Sequence, residues 1–378
     1  MLLSYFAERR AELLALVERY VGFETPSHDK ARCDVLVDHL AGHFAALGAV
    51  ERVANLGGGD HLRIRVAAPG APADARPALV LCHYDTVWAA GTLAARPFRV
   101  DGDTAYGPGA YDMKASLALA EHALRAAGGL GLSLPRPVTL LFTSDEEIGS
   151  LSSRALIEGE ARGAAYVLVL EPPVEPHGAL KTARKGGGVF TVAIGGRSAH
   201  AGVEPEKGVS AITEMAHQIL AINGLADPAK GTTLNVGLVE GGTRPNVVPD
   251  AARLVVDARA WTMDEARRLE AAFAGLRPAT LGATVAVSGG IRRPPMERGP
   301  ATAELFARAR VIGAELGLDL VEGSTGGGSD GNFTAALGVP TLDGLGTPGQ
   351  GAHAEHEQIH IPGLIERGAL LAALLTAL

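Results

Sequence analysis

Residues 2 to 21 set Leu3, Phe6, Leu13, Leu14, Val17 and Val21 among charged residues at largely helical spacing, which predicts an amphipathic first helix. After Pro26 a second helical pattern covers residues 32–47. Four short apolar runs then stand out: Leu62 to Ala67, Ala78 to Cys82, Thr139 to Thr143 and Tyr166 to Leu170. They are rich in Val, Leu and Ile and bounded by Gly, Pro or acidic residues, the pattern of buried strands. Between the second and third run, Met113 to Ala127 reads as a helix, and helical patterns also flank the fourth. This alternation predicts an α/β core, a mostly parallel sheet with flanking helices.

The pattern changes at Gly186, Gly187 and Gly188. An alternating run, Val189 to Ile194, leads to a helix over about 208–222, strands at Thr233 to Val239 and Arg253 to Ala258, a helix at about 263–275 and a strand at Thr284 to Val287. The order β-α-β-β-α-β is that of a ferredoxin-like split βαβ unit. Pro294 and Pro295 close the block, and the earlier helix-plus-strand character resumes from Ala303. The expected organisation is a core domain in two parts, 1–186 and 294–378, interrupted by an inserted α+β domain, 187–293.

Composition narrows the class. At roughly 100 to 200 residues per domain, 378 residues favour two domains. Lys and Arg number 34 against 42 Asp and Glu, and a net charge of −8 argues against a nucleic-acid partner. No apolar run approaches the roughly 18 to 20 residues that span a bilayer, and the N-terminus lacks the basic-then-apolar order of a secretory signal. With only Cys33 and Cys82, a disulfide framework is excluded, so a reducing, cytoplasmic setting with no membrane partner is expected.

The chemistry gathers at strand ends. His83 and Asp85 follow the second apolar run, Glu146 and Glu147 the third, and Glu171 the fourth. In open α/β sheets that edge is where ligands bind. Several carboxylates desolvated together are costly without a cation, so a metal is the natural compensation. A two-ion site needs imidazole or carboxylate ligands on each ion and a bridging carboxylate, and Asp112, in a Gly-rich loop before a helix, is placed to bridge. Asp85, two residues from His83 along an extended chain, can accept the second imidazole N–H. Adjacent Glu146 and Glu147 cannot point alike, so one can bind metal while the other serves as a general base.

These residues fall in recognisable strings: His83-Tyr84-Asp85-Thr86-Val87, Gly107-Pro108-Gly109 with Asp112-Met113-Lys114, Thr143 to Gly149, Glu171-Pro172, Ser198 to Gly202, and Gly351-Ala352-His353-Ala354-Glu355. Over nearly its whole length the chain resembles the M20 family of zinc-dependent peptidases and deacylases, most closely the glutamate carboxypeptidase branch. The resemblance implies a zinc exopeptidase-like catalytic domain with an inserted lid that forms a homodimer. It also implies two Zn2+ per subunit, with Co2+ or Mn2+ as substitutes. His83, Asp112, Glu147, Glu171 and His353 are the implied ligands, with Asp112 bridging, Glu146 as general base and Asp85 orienting His83. His200, Asn246 and Arg259 match substrate-binding positions, and an Arg fork suits a terminal carboxylate. His356 competes with His353 for the last ligand place, and either Arg184 or Lys185 can face the pocket.

The activity so implied is metal-assisted amide hydrolysis of a small peptidyl or N-acyl amino acid, releasing a C-terminal glutamate or similar residue. An N-acyl amino acid deacylase of the acetylornithine or succinyl-diaminopimelate type, a dipeptidase, and a catalytically silent metal-binding protein on the same fold are the alternatives. The run Thr325 to Asn332 lacks the Gly-Lys-Ser/Thr ending of a phosphate loop and reads as a loop lining a substrate pocket.

Overall fold

The computed structural model describes residues 1–378. The chain divides into two compact units. One comprises Met1–Thr182, Arg298–Thr325 and Ser329–Leu378; the other comprises Ala183–Glu297 with Gly326–Gly328.

The first unit is built on a six-stranded mixed sheet. Its strands lie in the order Ala49–Val53, His61–Val66, Val138–Thr143, Ala78–His83, Tyr166–Val169, Thr341–Leu342. The last four run parallel and the first two antiparallel, so the mostly parallel expectation holds for the part that carries the strand-end residues. Strand alternation sends Ala78, Val80 and Cys82 into one core and Leu79 and Leu81 into another. The first core is closed by helices including Arg10–Val21, Ala115–Gly129 and Ile361–Ala377; the second is closed by Ile157, Ala161 and Phe333 of two shorter helices. A buried sheet sandwiched by helices explains why these strands are apolar on both faces.

Three local expectations are corrected. The first helix is two, Leu2–Glu8 and Arg10–Val21, because Arg9 leaves helical geometry at φ −102°, ψ 18°. The second begins at Lys30, where the Asp29 carboxylate accepts the Arg32 N–H at 3.1 Å as an N-cap. The helix expected from Met113 begins at Ala115, since Asp112 (φ −118°, ψ 91°) and Met113 (φ −139°, ψ 44°) are not helical. A small sheet that hydrophobic patterning does not announce joins Gly349–Gln350, Gln358–His360, Thr104–Tyr106 and Arg99–Asp101 in that order. Its strands are too short to show a period.

The second unit has a four-stranded antiparallel sheet, ordered Thr233–Gly241, Ala251–Ala260, Gly186–Gly195, Thr284–Arg293. Numbered along the chain this is 4-1-3-2 read from the other edge, the arrangement of the split βαβ. Helices Ala211–Asn223 and Met263–Ala274 cover one face, with Phe190 and Phe273 stacked at 3.9 Å between ring centres. Ser210 and Thr262 cap them through side-chain oxygens. No helix of the chain is long and apolar enough to cross a membrane.

Candidate metal centre

Strands Val138–Thr143, Ala78–His83 and Tyr166–Val169 are parallel neighbours, with His83 registered against Thr143. Their carboxyl ends therefore open on one edge, and that edge receives His83, the Glu146–Glu147 turn and Glu171. Two loops complete it. Residues 107–114 bring Asp112, and 351–357, the connection between antiparallel strands Gly349–Gln350 and Gln358–His360, bring His353.

Asp112 divides its two oxygens between two imidazoles. Oδ1 lies 3.1 Å from His83 Nε2, and Oδ2 lies 3.5 Å from His353 Nε2. Each imidazole nitrogen also meets a second carboxylate: Glu171 Oε1 is 3.6 Å from His83, and Glu147 Oε2 is 3.1 Å from His353. Ligand atoms of His83, Glu146 and Glu171 lie within 4.8 Å of one another, as do those of His83, Asp112 and Glu147. The two clusters share His83, and the imidazole contacts join them through Asp112 to His353 rather than His356. His356 lines a separate depression with Arg96, Arg99 and Tyr106.

The electrostatics show what this arrangement lacks. Burial pushes the Glu147 carboxyl above its usual range, with His353 opposing and Asp112 adding to the rise. Its Oε1 is buried without a hydrogen-bond partner. Hydrogen bonds that the His353 ring donates to the Asp112 and then the Glu147 carboxylate lift it to about 10. Burial opposes charge on His83, yet the Asp112 and Asp85 carboxylates outweigh it and hold the imidazole well above its normal pKa. Desolvation opposes charge on half-buried Asp112 as well, but its two imidazole partners keep it well below the normal carboxylate range. Four acids thus face two imidazoles. Imidazole nitrogens with carboxylate oxygens are a donor set that suits zinc and related divalent ions, and the orphaned Glu147 oxygen fits a cation.

The supporting contacts differ in part from those expected. His83 Nδ1 lies 3.0 Å from the Asp85 main-chain oxygen, while the Asp85 carboxylate stands at 3.5 Å. An N–H to that carbonyl leaves Nε2 as the ring nitrogen that would bind an ion. The carboxylate itself accepts from Ser27 Oγ at 2.7 Å, Glu146 N at 3.3 Å and Glu147 N at 3.2 Å. Asp85 therefore orients the acidic turn as well as the imidazole.

The remaining expected residues lie in the second unit. His200 and Asn246 come together there, the Ala201 N–H donating to the Asn246 carbonyl at 3.0 Å and His200 bridging Val247. Arg259, on strand Ala251–Ala260, pairs with Asp257 at 2.9 Å and donates to the Gly326 carbonyl at 2.9 Å. Arg184 is buried, with Nη1 donating to the Gly328 carbonyl at 2.8 Å; the Lys185 ammonium sits 5.4 Å from the Trp261 ring centre.

Sequence reasoning passed over three supporting residues. Asp330, read only as part of a Gly-rich loop, accepts from Thr143 Oγ1 at 3.1 Å and from the Ser150 hydroxyl, bracing both ends of the loop that carries Glu146 and Glu147. Lys114 is buried and donates to the Phe23 carbonyl, and burial pulls its ammonium down to about 7. Glu357, buried, accepts four hydrogen bonds around the Asp112 loop. The one signal in sequence was an acid placed four residues after His353, too common to single out.

Comparisons with known proteins identify the family. Residues 79–377 match Peptidase family M20/M25/M40. Carboxypeptidase G2 of Pseudomonas sp. (strain RS-16) is 32% identical over 374 residues, 97% of this chain and 89% of that protein. Acetylornithine deacetylase of Myxococcus xanthus is 33% identical over 51% of this chain and 52% of its own. Among solved structures, aminopeptidase PepT from Bacillus cereus superposes with a TM-score of 0.78 at 23% identity, covering 97% of this chain and 98% of that one; this likeness speaks to the fold.

Proposed function

The chain belongs to peptidase family M20/M25/M40, a family of metal-dependent peptidases and amidohydrolases, and from that premise we propose that it hydrolyses the amide bond of a peptidyl or N-acyl amino acid, releasing a C-terminal glutamate or similar residue. The observation that carries this reading is the division of Asp112 between His83 and His353, with Glu171 on one side and Glu147 on the other. His83, Asp112 and Glu171 would hold one ion and His353, Asp112 and Glu147 the other, zinc being favoured by the donor set. When bound, such ions polarise the scissile carbonyl and make water acidic enough to attack near neutral pH.

The protein's own groups divide the remaining work. The Asp85 carbonyl fixes the His83 tautomer, and its carboxylate holds the Glu146–Glu147 turn at the strand exit. The Glu146 carboxylate takes the proton of the attacking water and returns it to the leaving amine nitrogen, the general acid–base step. His200 and Asn246 are assigned to the substrate carbonyl, and Arg259 to its free carboxylate, which must then share that guanidinium with Asp257. A homodimer through the inserted unit and a cytoplasmic setting complete the reading, the latter supported by two buried free cysteines.

The test is mass-spectrometric detection of products from a panel of dipeptides and N-acetyl, N-succinyl and N-aroyl amino acids, with zinc-loaded wild type beside Glu146→Gln. The expected result is glutamate release that the substitution lowers on the order of 10²- to 10⁴-fold with metal retained. Turnover confined to the N-acetyl or N-succinyl substrates, giving acetate or succinate together with the free amino acid, moves the reading to a deacylase, the alternative that likeness to the deacetylase supports. No turnover by folded, metal-loaded protein sinks it.

A further inference from the structure

Resting on the metal reading above, we propose that Glu357 is a positioning residue that clamps the Asp112 loop to the His353 loop and so sets the separation of the two ion-binding nests. The inference starts from the backbone of residues 107–114. Because Asp112 and Met113 are not helical, the N–H groups of this loop have no helical ladder and need acceptors from elsewhere. Glu357 supplies them. Oε2 accepts from Gly109 N at 2.7 Å and Trp88 Nε1 at 2.7 Å, while Oε1 accepts from Tyr111 N at 3.0 Å and Asp112 N at 3.0 Å. Two acceptor sites on each oxygen are thereby filled.

The main chain of the same residue faces both loops. Its carbonyl accepts the Gly107 N–H at 3.3 Å, and its N–H donates to the Ala354 carbonyl at 3.0 Å, closing the turn that carries His353. That turn has little else to hold it. Residues 352 and 353 are exposed, and both Gly351 (φ 84°) and His353 (φ 60°) occupy the left-handed region, uncommon for a residue other than glycine. Glu357 is the first buried residue after His353, and the strand it leads into, Gln358–His360, pairs with Thr104–Tyr106, the strand that feeds the Asp112 loop. One carboxylate therefore joins the two loops where they leave adjacent strands.

Only a carboxylate satisfies this arrangement, because all four partners are donors. Glutamine has nearly the same volume but turns an NH2 group toward two N–H groups. The clamp thus predicts that Glu357→Gln loosens ligand geometry without opening a cavity. Chelator competition should show Co2+ bound about 10- to 100-fold more weakly, the usual cost of losing a group that orients metal ligands. The visible spectrum of the Co2+-loaded protein should change in intensity. Amide exchange in the metal-free protein should quicken in 107–114 and 351–357 and nowhere else.

Two Co2+ ions in wild type together with unchanged affinity, spectrum and exchange in Glu357→Gln overturn the clamp alone. No Co2+ uptake by wild type overturns the metal reading and the clamp with it. If Glu357→Gln gives no cooperative thermal transition, Glu357→Asp decides: it keeps the charge but retracts by a methylene, so the clamp requires an altered Co2+ spectrum and an unaltered spectrum overturns it.

Discussion

Two buried glutamates, one in each unit, meet opposite fates. The side chains of Glu147 in the first unit and Glu265 in the second are 6% and 4% exposed. Glu265 receives two hydrogen bonds from Arg268, at 2.9 and 2.6 Å, and another from Thr232 at 2.5 Å, which outweigh burial and hold it down to about 2. Glu147 has one imidazole partner, a carboxylate neighbour in Asp112 and an orphaned oxygen, and its pKa rises. The inserted unit neutralises its buried acid with a guanidinium from the same helix. The strand-edge site surrounds its acid with further acids and sets only two imidazoles against them. Similar side-chain exposure with opposite titration, led by desolvation at Glu147 and by the Arg268 hydrogen bonds at Glu265, separates a structural carboxylate from one suited to a cation.

The comparison is broken most directly at Asp112, the carboxylate that lies between the two imidazoles. Asp112→Asn should take metal content from two ions per chain to none by elemental analysis, with hydrolysis falling on the order of 10³-fold or more. Retention of both ions would remove the cation from the explanation of Glu147. Next in size is the effect of metal on wild type: at a free concentration 1,000 times Kd, calorimetry should show stabilisation of about 4 kcal/mol. The same addition should do far less for Glu147→Gln.

Glu265→Gln probes the other side. A carboxylate with a depressed pKa stabilises the fold fully above its unfolded value, near 4.3, and loses that contribution as pH falls through its folded value. With that value at about 2, the substitution should cost about 2 to 3 kcal/mol at pH 7 in guanidinium unfolding, and the difference should shrink between pH 4 and pH 2. The smallest effect sharpens the contrast most. In metal-free protein Glu147→Gln should leave stability unchanged within about 0.5 kcal/mol or raise it, since the charge it removes is uncompensated. A loss as large as that at Glu265 would mean that Glu147 is structurally paired after all.

Much of this was legible in the chain. The runs Ala78 to Cys82, Thr139 to Thr143 and Tyr166 to Leu170 are apolar because both sheet faces are covered, so they mark themselves as central strands and mark the following residues as their exits. His83, Glu146, Glu147 and Glu171 are all found at those exits. The alternating runs of the second unit are equally plain, as expected of a sheet covered on one face. Less was legible where irregular backbone decides. Asp112 sits in a loop whose path follows hydrogen bonds to a residue more than 240 positions away, which no local period records.

Local sequence determined the elements, the edge at which acids and imidazole collect, and the kind of chemistry that edge invites, because side-chain alternation and strand ends are properties of neighbouring residues. Tertiary structure alone decided that Asp85 reaches His83 mainly through its carbonyl and that Glu357 ties two loops together, and it set His353, which the family resemblance already favoured over His356, against Asp112 and Glu147. Those choices rest on distances between segments remote in the chain. Such distances are fixed only when the sheets close, since a carboxylate's pKa and partners depend on what the fold packs around it rather than on what precedes it in sequence.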